Sequence, residues 1–115
     1  MVEHAEDPLD AVFHALADPT RRAMVRRLAD GERTVGELAA PFDMTLAAAS
    51  KHIKVLERAG LVRRLITGRT HLCRLDAAPI HDGVAWMRYY ERFWNERIDA
   101  LSAALDADDE KDERR

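Results

Sequence analysis

The chain has 115 residues, 47% of them apolar and 34% charged, which suits one domain with a core and a solvated surface. No apolar run nears the ~18 residues of a membrane span, the acidic opening MVEHAEDPLD has no signal-peptide apolar stretch, and the single cysteine, Cys73, excludes an internal disulfide; a reducing cytoplasm is the expected compartment. The net charge of −3 hides a segregation of −5 over residues 1–19, +7 over 20–75 and −5 over 76–115: a basic middle that fits either a nucleic-acid partner or Arg-rich solvated helix faces.

Asp7-Pro8 predicts a helix start, since aspartate caps free N–H groups and proline at the first helical position gives up a donor that has no partner there. Leu9, Val12, Phe13 and Leu16 follow at helical spacing and make one face apolar. Asp18-Pro19 repeats the signal for a second helix, with Met24, Val25 and Leu28 inward, Arg21, Arg22, Arg26 and Arg27 outward, and Gly31 as its end. Thr34 and Glu37 form a T-x-x-E capping box that opens a short third helix, 34–42, curtailed by Pro41. Thr45 caps a fourth helix that runs to about Ala59 and stops at Gly60, with Ala49, Ile53 and Leu56 facing the core.

Beyond Gly60 the pattern changes from helical to alternating. LVRRLI and THLCRL predict two strands joined around Thr67-Gly68-Arg69. A long helix is expected from about Asp82, with Trp86, Tyr90, Phe93, Trp94, Ile98, Leu101 and Leu105 spaced by three or four. The charged end DADDEKDERR, residues 106–115, is expected to be a disordered tail after one folded domain, 1–105.

The expected fold is mainly α with a β-hairpin wing, a winged helix-turn-helix. In such a unit the second helix of the pair enters the major groove, where base edges show distinct donor and acceptor patterns. Residues 34–42 would be the supporting helix and 45–58 the recognition helix. With Ala49, Ile53 and Leu56 inward, Leu46, Ala47, Ser50, Lys51 and Lys54 face away from the core, and Arg58 lies a turn further on. Lys51 and Lys54 are the surest phosphate or base contacts; Ser50 reaches a base edge or bonds back to its own turn. Arg69 at the hairpin tip suits a minor groove or a phosphate.

The stretch AASKHIKVLERAGLV, with the hairpin RRLITGRTHLCRL behind it, resembles the ArsR family of bacterial repressors, most clearly over residues 17–75. The aromatic WMRYYERFW resembles a subgroup that dimerises through terminal helices, and the likeness extends over roughly 9–105. The resemblance implies a homodimer that binds a palindromic double-stranded DNA operator and blocks transcription. It implies a dimer interface on Trp86, Tyr90, Phe93, Trp94, Ile98 and Leu101, joined by the first helix through Leu9, Val12, Phe13 and Leu16. It adds His52 to the DNA-facing set that Thr45 begins, as a phosphate contact or as a packed histidine bridging to the first helix. The apolar start Leu46-Ala47-Ala48 departs from relatives with polar residues there, and leaves thymine methyl contact or DNA shape to specify bases.

Many members of that family release DNA on binding a metal, but Ala39, Ala40 and Pro41 stand where thiolates would be needed and the dozen residues after Asp82 hold no histidine. No metal or other cofactor is expected; the last helix offers His81 and Asp82, and His4 and His14 are candidates to join a site across a dimer. The sequence names no inducer. Neither a phosphate loop nor a nucleophile elbow occurs, so an enzyme is not expected. A winged-helix module that binds protein rather than DNA is the alternative, disfavoured by the basic middle.

Overall fold

A computed structural model of the chain describes residues 7–113. The chain divides into two units, one ending at Gly83 and one beginning at Val84. The first holds α1 (Pro8–Leu16), α2 (Pro19–Ala29), β1 (Arg33–Thr34), α3 (Val35–Ala39), α4 (Leu46–Arg58), β2 (Val62–Thr67) and β3 (Thr70–Leu75). Helix α5 (Ala78–Arg88) crosses into the second unit, which is completed by α6 (Glu91–Glu113).

Each early helix begins where a cap dictates. The Leu9 N–H donates to the Asp7 carboxylate at 2.9 Å and the Arg21 N–H to Asp18 at 3.0 Å. Thr34 and Glu37 exchange side-chain and backbone bonds at 3.1 Å each, and the Ala48 N–H donates to the Thr45 hydroxyl at 3.1 Å. Each bond gives a partner to an N–H that the helix itself leaves free. Helix α3 ends at Ala39 rather than at Phe42: Ala40 still has helical angles, φ −53° and ψ −39°, but Pro41 after it has no N–H with which to continue the helical bonds.

The arginines of α2 are not one solvated face. Arg21 donates from Nε to the Ala15 carbonyl at 2.7 Å and from Nη2 to that of His14 at 3.1 Å, and Arg22 donates to Leu16 at 2.8 Å. These are last-turn carbonyls of α1, where helical partners run out; that of His14 also accepts from the Ala17 N–H at 3.2 Å. Arg27 donates to the Glu37 carbonyl at 3.1 Å and so ties α2 to α3; Arg26 is exposed.

Met24, Leu38, Ile53, Leu56, Leu61 and Cys73 are fully buried and join α2, α3, α4 and the sheet in one core. Gly60, at φ +76°, ends α4: its N–H donates to the Glu57 carbonyl at 2.9 Å and that of Leu61 to Leu56 at 3.0 Å. This paired closure needs a left-handed residue and delivers Leu61 straight into the core. The sheet is antiparallel in the order β1-β3-β2, with Arg64 opposite Cys73 and Thr67 opposite Thr70. Gly68 has φ +61° while Arg69 does not take a positive φ, the pattern of a two-residue type II′ turn.

Burial pushes the Cys73 thiol above its ordinary pKa, against a smaller opposite pull from Arg64. Native protein at neutral pH therefore resists alkylation at Cys73 and takes up one label per chain once denatured. Rapid labelling of folded protein, read by mass spectrometry, would contradict this account of the strand.

Three features beyond the wing differ from expectation. Helix α5 starts at Ala78, not Asp82, because Asp76 accepts a bond from the Ala78 N–H at 3.0 Å and Pro79 sits in the first turn. The long helix is broken at Tyr89-Tyr90, where the Tyr89 and Tyr90 N–H groups reach back three residues to Trp86 and Met87 at 3.3 and 3.0 Å. No Gly or Pro stands there; instead Trp86, Tyr89, Tyr90 and Phe93 crowd ring on ring at 5.0–6.2 Å between centroids. Finally, α6 runs on to Glu113 through much of the segment read as a disordered tail: residues 106–113 contain neither Gly nor Pro and carry Ala, Glu and Lys.

Candidate nucleic-acid interface

Helix α4 is held by its inner face and offers its outer one. Ala49, Ile53 and Leu56 are fully buried. Ala47, Lys51, Lys54 and Arg58, at i, i+4, i+7 and i+11, are all exposed and form a single stripe along the helix. Leu46, exposed, and Ser50, half-buried, flank it. Thr45 precedes the stripe with its hydroxyl accepting the capping bond. The structure thus gathers eight of the nine residues expected to face DNA around one helix surface and the wing tip, where Arg69 is exposed beside Gly68.

His52 is placed differently. Its Nδ1 lies 3.2 Å from Arg21 Nη1 and 3.9 Å from an Asp18 oxygen, so the ring locks α4 to the start of α2. The bridge is to the second helix, not the first. The Asp18 carboxyl is held below its ordinary value of 3.8, mainly by the Arg21 N–H bond and, against some burial, by the Arg21 and His52 charges. A lowered folded pKa means that this stabilisation is complete above the unfolded value and is lost as pH falls through the folded one. Asp18→Asn keeps a capping oxygen but removes the titration. Its melting temperature is therefore expected to fall less steeply than the wild type's as pH drops below about 4. Equal acid sensitivity of the two proteins in thermal melts would contradict that role.

A second lock joins α4 to the wing. Arg64, 14% exposed, is paired with Glu57 and sets Nη1 3.1 Å from His71 Nδ1. Its neighbour Arg63, 76% exposed, pairs with Asp76 at 3.2 Å on the opposite sheet face. Neither the His52 nor the Arg64 cluster is visible as a local motif, because the partners come from separate elements. An open cleft of about 370 Å3 lies between α4 and the wing, lined by Lys54, Glu57, Arg58, Arg64 and Ile66. The surface is electropositive, with one carboxylate among its lining groups and that one already paired.

The residues expected at the dimer interface divide. Val12 is buried and Leu16 packs on the core, whereas Leu9 and Phe13 are half-buried. In the second unit Trp86, Tyr90, Phe93, Trp94, Ile98 and Leu101 are all exposed in the single chain. Among the described residues no three His, Cys, Asp or Glu side chains gather as metal ligands; His4 lies outside those residues.

Comparison with known proteins agrees with this geometry. Residues 16–64 match the protein-family model described as a helix-turn-helix domain. The chain is 38% identical over 100 residues to the HTH-type transcriptional regulator Rv2034 of Mycobacterium tuberculosis, covering 86% of this chain and 90% of that protein. It is 29% identical over 79 residues to the transcriptional repressor SdpR of Bacillus subtilis, covering 69% of this chain and 88% of that one. Among solved structures, the ArsR family transcriptional regulator RHA00566 superposes with a TM-score of 0.73 at 43% identity, over 77% of this chain and 98% of that chain.

Proposed function

We propose, for a chain that belongs to the ArsR family of helix-turn-helix transcription regulators, that it acts as a homodimeric repressor on a palindromic operator. DNA binding and transcription regulation come with the family; the finer reading rests on the exposed stripe Ala47, Lys51, Lys54 and Arg58. Two such helices held about 34 Å apart fit successive major grooves on one face of a duplex, which is why a dimer and a two-fold operator go together.

Within each half, Lys51, Lys54 and Arg58 engage the backbone and position the helix. Ser50 is the polar side chain set to reach a base edge, and Leu46 with Ala47 offers apolar contact to thymine methyl groups. Arg69 extends the grip from the wing. The apolar turn at the start of α4 favours an operator with A/T pairs at some positions. The exposed aromatic and aliphatic residues of α5 and α6 supply the partner contact. The protein works in the cytoplasm, where a reduced Cys73 persists; among the described residues no helix is long and apolar enough to cross a membrane.

A reporter driven by the gene's own upstream region tests repression. Expression should fall when the protein is supplied and recover when Lys51 and Lys54 are both replaced. A reporter that rises with the wild-type protein would make it an activator and overturn the repressor reading.

A further inference from the structure

Of the twelve cations in the basic middle, residues 20–75, ten are arginine, and the two lysines, Lys51 and Lys54, both stand on α4. The third lysine of the chain is Lys111, near the end of α6 between Glu110 and Asp112. The two kinds of cation differ in a way that a charge count hides. A guanidinium keeps its proton, whereas an ε-amine can lose it, attack an acyl carbon and end as a neutral amide. Within the basic middle, loss of charge by acylation is thus confined to the helix that faces DNA.

Both amines are available. Lys51 and Lys54 are exposed and take no hydrogen bond or ion pair among the described contacts. Cys73, the other strong nucleophile, is buried and so removed from competition. Lys54 also lines the open cleft of about 370 Å3, whose remaining charged groups are Glu57, Arg58 and Arg64. Glu57 and Arg64 pair with each other, so Arg58, one turn beyond Lys54, supplies the unmatched positive charge. An anionic reagent is drawn to that place, while Asp108, Asp109, Glu110 and Asp112 repel it from Lys111.

We propose that Lys51 and Lys54 are an acylation site for acyl phosphates, and that their conversion to amides keeps the protein off DNA. The proposal rests on the DNA-binding reading above and adds a covalent control of the same helix. The ε-amine nitrogen bonds to the acyl carbon and the carbon–oxygen bond to phosphate breaks. Phosphate leaves with that electron pair and takes up the amine proton. The products are an amide and inorganic phosphate, nothing is oxidised or reduced, and each amide removes one positive charge.

Acetyl phosphate is the probe, applied to the intact chain and followed by hydroxylamine to strip esters and acyl-imidazoles from Tyr and His. Peptide mass spectrometry at low conversion should show the amide first at Lys54, then at Lys51, and last at Lys111. An uncharged acetyl ester should lose that order. A saturating upstream-region duplex should shield Lys51 and Lys54 but not Lys111. A homodimer acetylated at both α4 lysines has lost four charges; its affinity for the duplex should fall about a thousandfold and its salt slope flatten by about 3.6. Lys111→Arg should lose affinity on treatment as the wild type does. Lys51→Arg with Lys54→Arg should keep after treatment whatever affinity it had before. Acylation of Lys111 as fast as the α4 lysines, or the same order with the uncharged ester, would overturn the site. Amides at Lys51 and Lys54 with affinity unchanged would overturn the control while leaving the DNA-binding reading in place. Untreated, folded protein that binds no duplex at low salt would overturn that underlying reading and the proposal together.

Discussion

Replacing Lys51 and Lys54 together with alanine reduces affinity for the upstream DNA by about a thousandfold and leaves the fold intact. The two lysines project from one exposed stripe of α4, and neither takes part in a hydrogen bond or ion pair among the described contacts. In a homodimer the double substitution removes four cationic contacts. At ~1 kcal/mol each, the loss is about 4 kcal/mol, or three decades in the dissociation constant. If each lysine meets one phosphate, the slope of log affinity against log salt flattens by about 3.6. Alanine is the best helix former, so α4 should not weaken. Fluorescence anisotropy across salt, paired with a thermal melt, reads both. A variant that binds as the wild type does, or one that melts markedly lower, would show that these lysines serve something other than DNA.

In the homodimer proposed above, Trp94→Ala combined with Leu101→Asp is expected to leave monomer at micromolar concentration. Trp94, Ile98, Leu101 and Leu105 recur at i, i+4, i+7 and i+11 on α6, with Trp94 65% and Leu101 61% exposed in the single chain. Trp94, Ile98 and Leu101 also border a shallow, largely apolar hollow of about 340 Å3 with Arg97 at its edge. An apolar stripe of this length suits a second copy of the same helix. Loss of a central tryptophan anchor typically costs an interface about 2–4 kcal/mol, and an aspartate in the stripe adds the burden of desolvating a charge. Sedimentation equilibrium should show the change with the far-ultraviolet helix signal retained. The same variant should protect half-sites only weakly, because two linked recognition helices gain from simultaneous binding. An unchanged dimer would move the interface away from α6.

What the sequence made legible was local chemistry. Asp7, Asp18, the Thr34–Glu37 box, Thr45 and Gly60 announce helix ends because the cap and the groups it satisfies lie within a few residues. The outer stripe of α4 was readable for the same reason, since helical periodicity alone sets Lys51 and Lys54 opposite Ile53 and Leu56. Strand β1 was not readable, because two residues carry no alternation and its pairing with β3 is a long-range event. The break at Tyr89 has neither Gly nor Pro to announce it in the sequence.

The locks around the site were hidden more deeply. His52 meets Arg21 across 31 positions of sequence, and no spacing rule could choose between a DNA-facing and a packed ring. Arg64 reads as one more surface cation until the hairpin register turns it toward Glu57. Both contacts position the recognition helix, one against α2 and one against the wing. They show that part of the basic middle of this acidic chain is structural.

Hydroxyl-radical footprinting on the gene's upstream region tests the central claim most directly. The account predicts two protected segments on one face of the duplex, centred about one helical turn apart or a multiple of it, related by a two-fold axis and weakening as salt rises. An upstream region left unprotected at low salt by folded protein would contradict it.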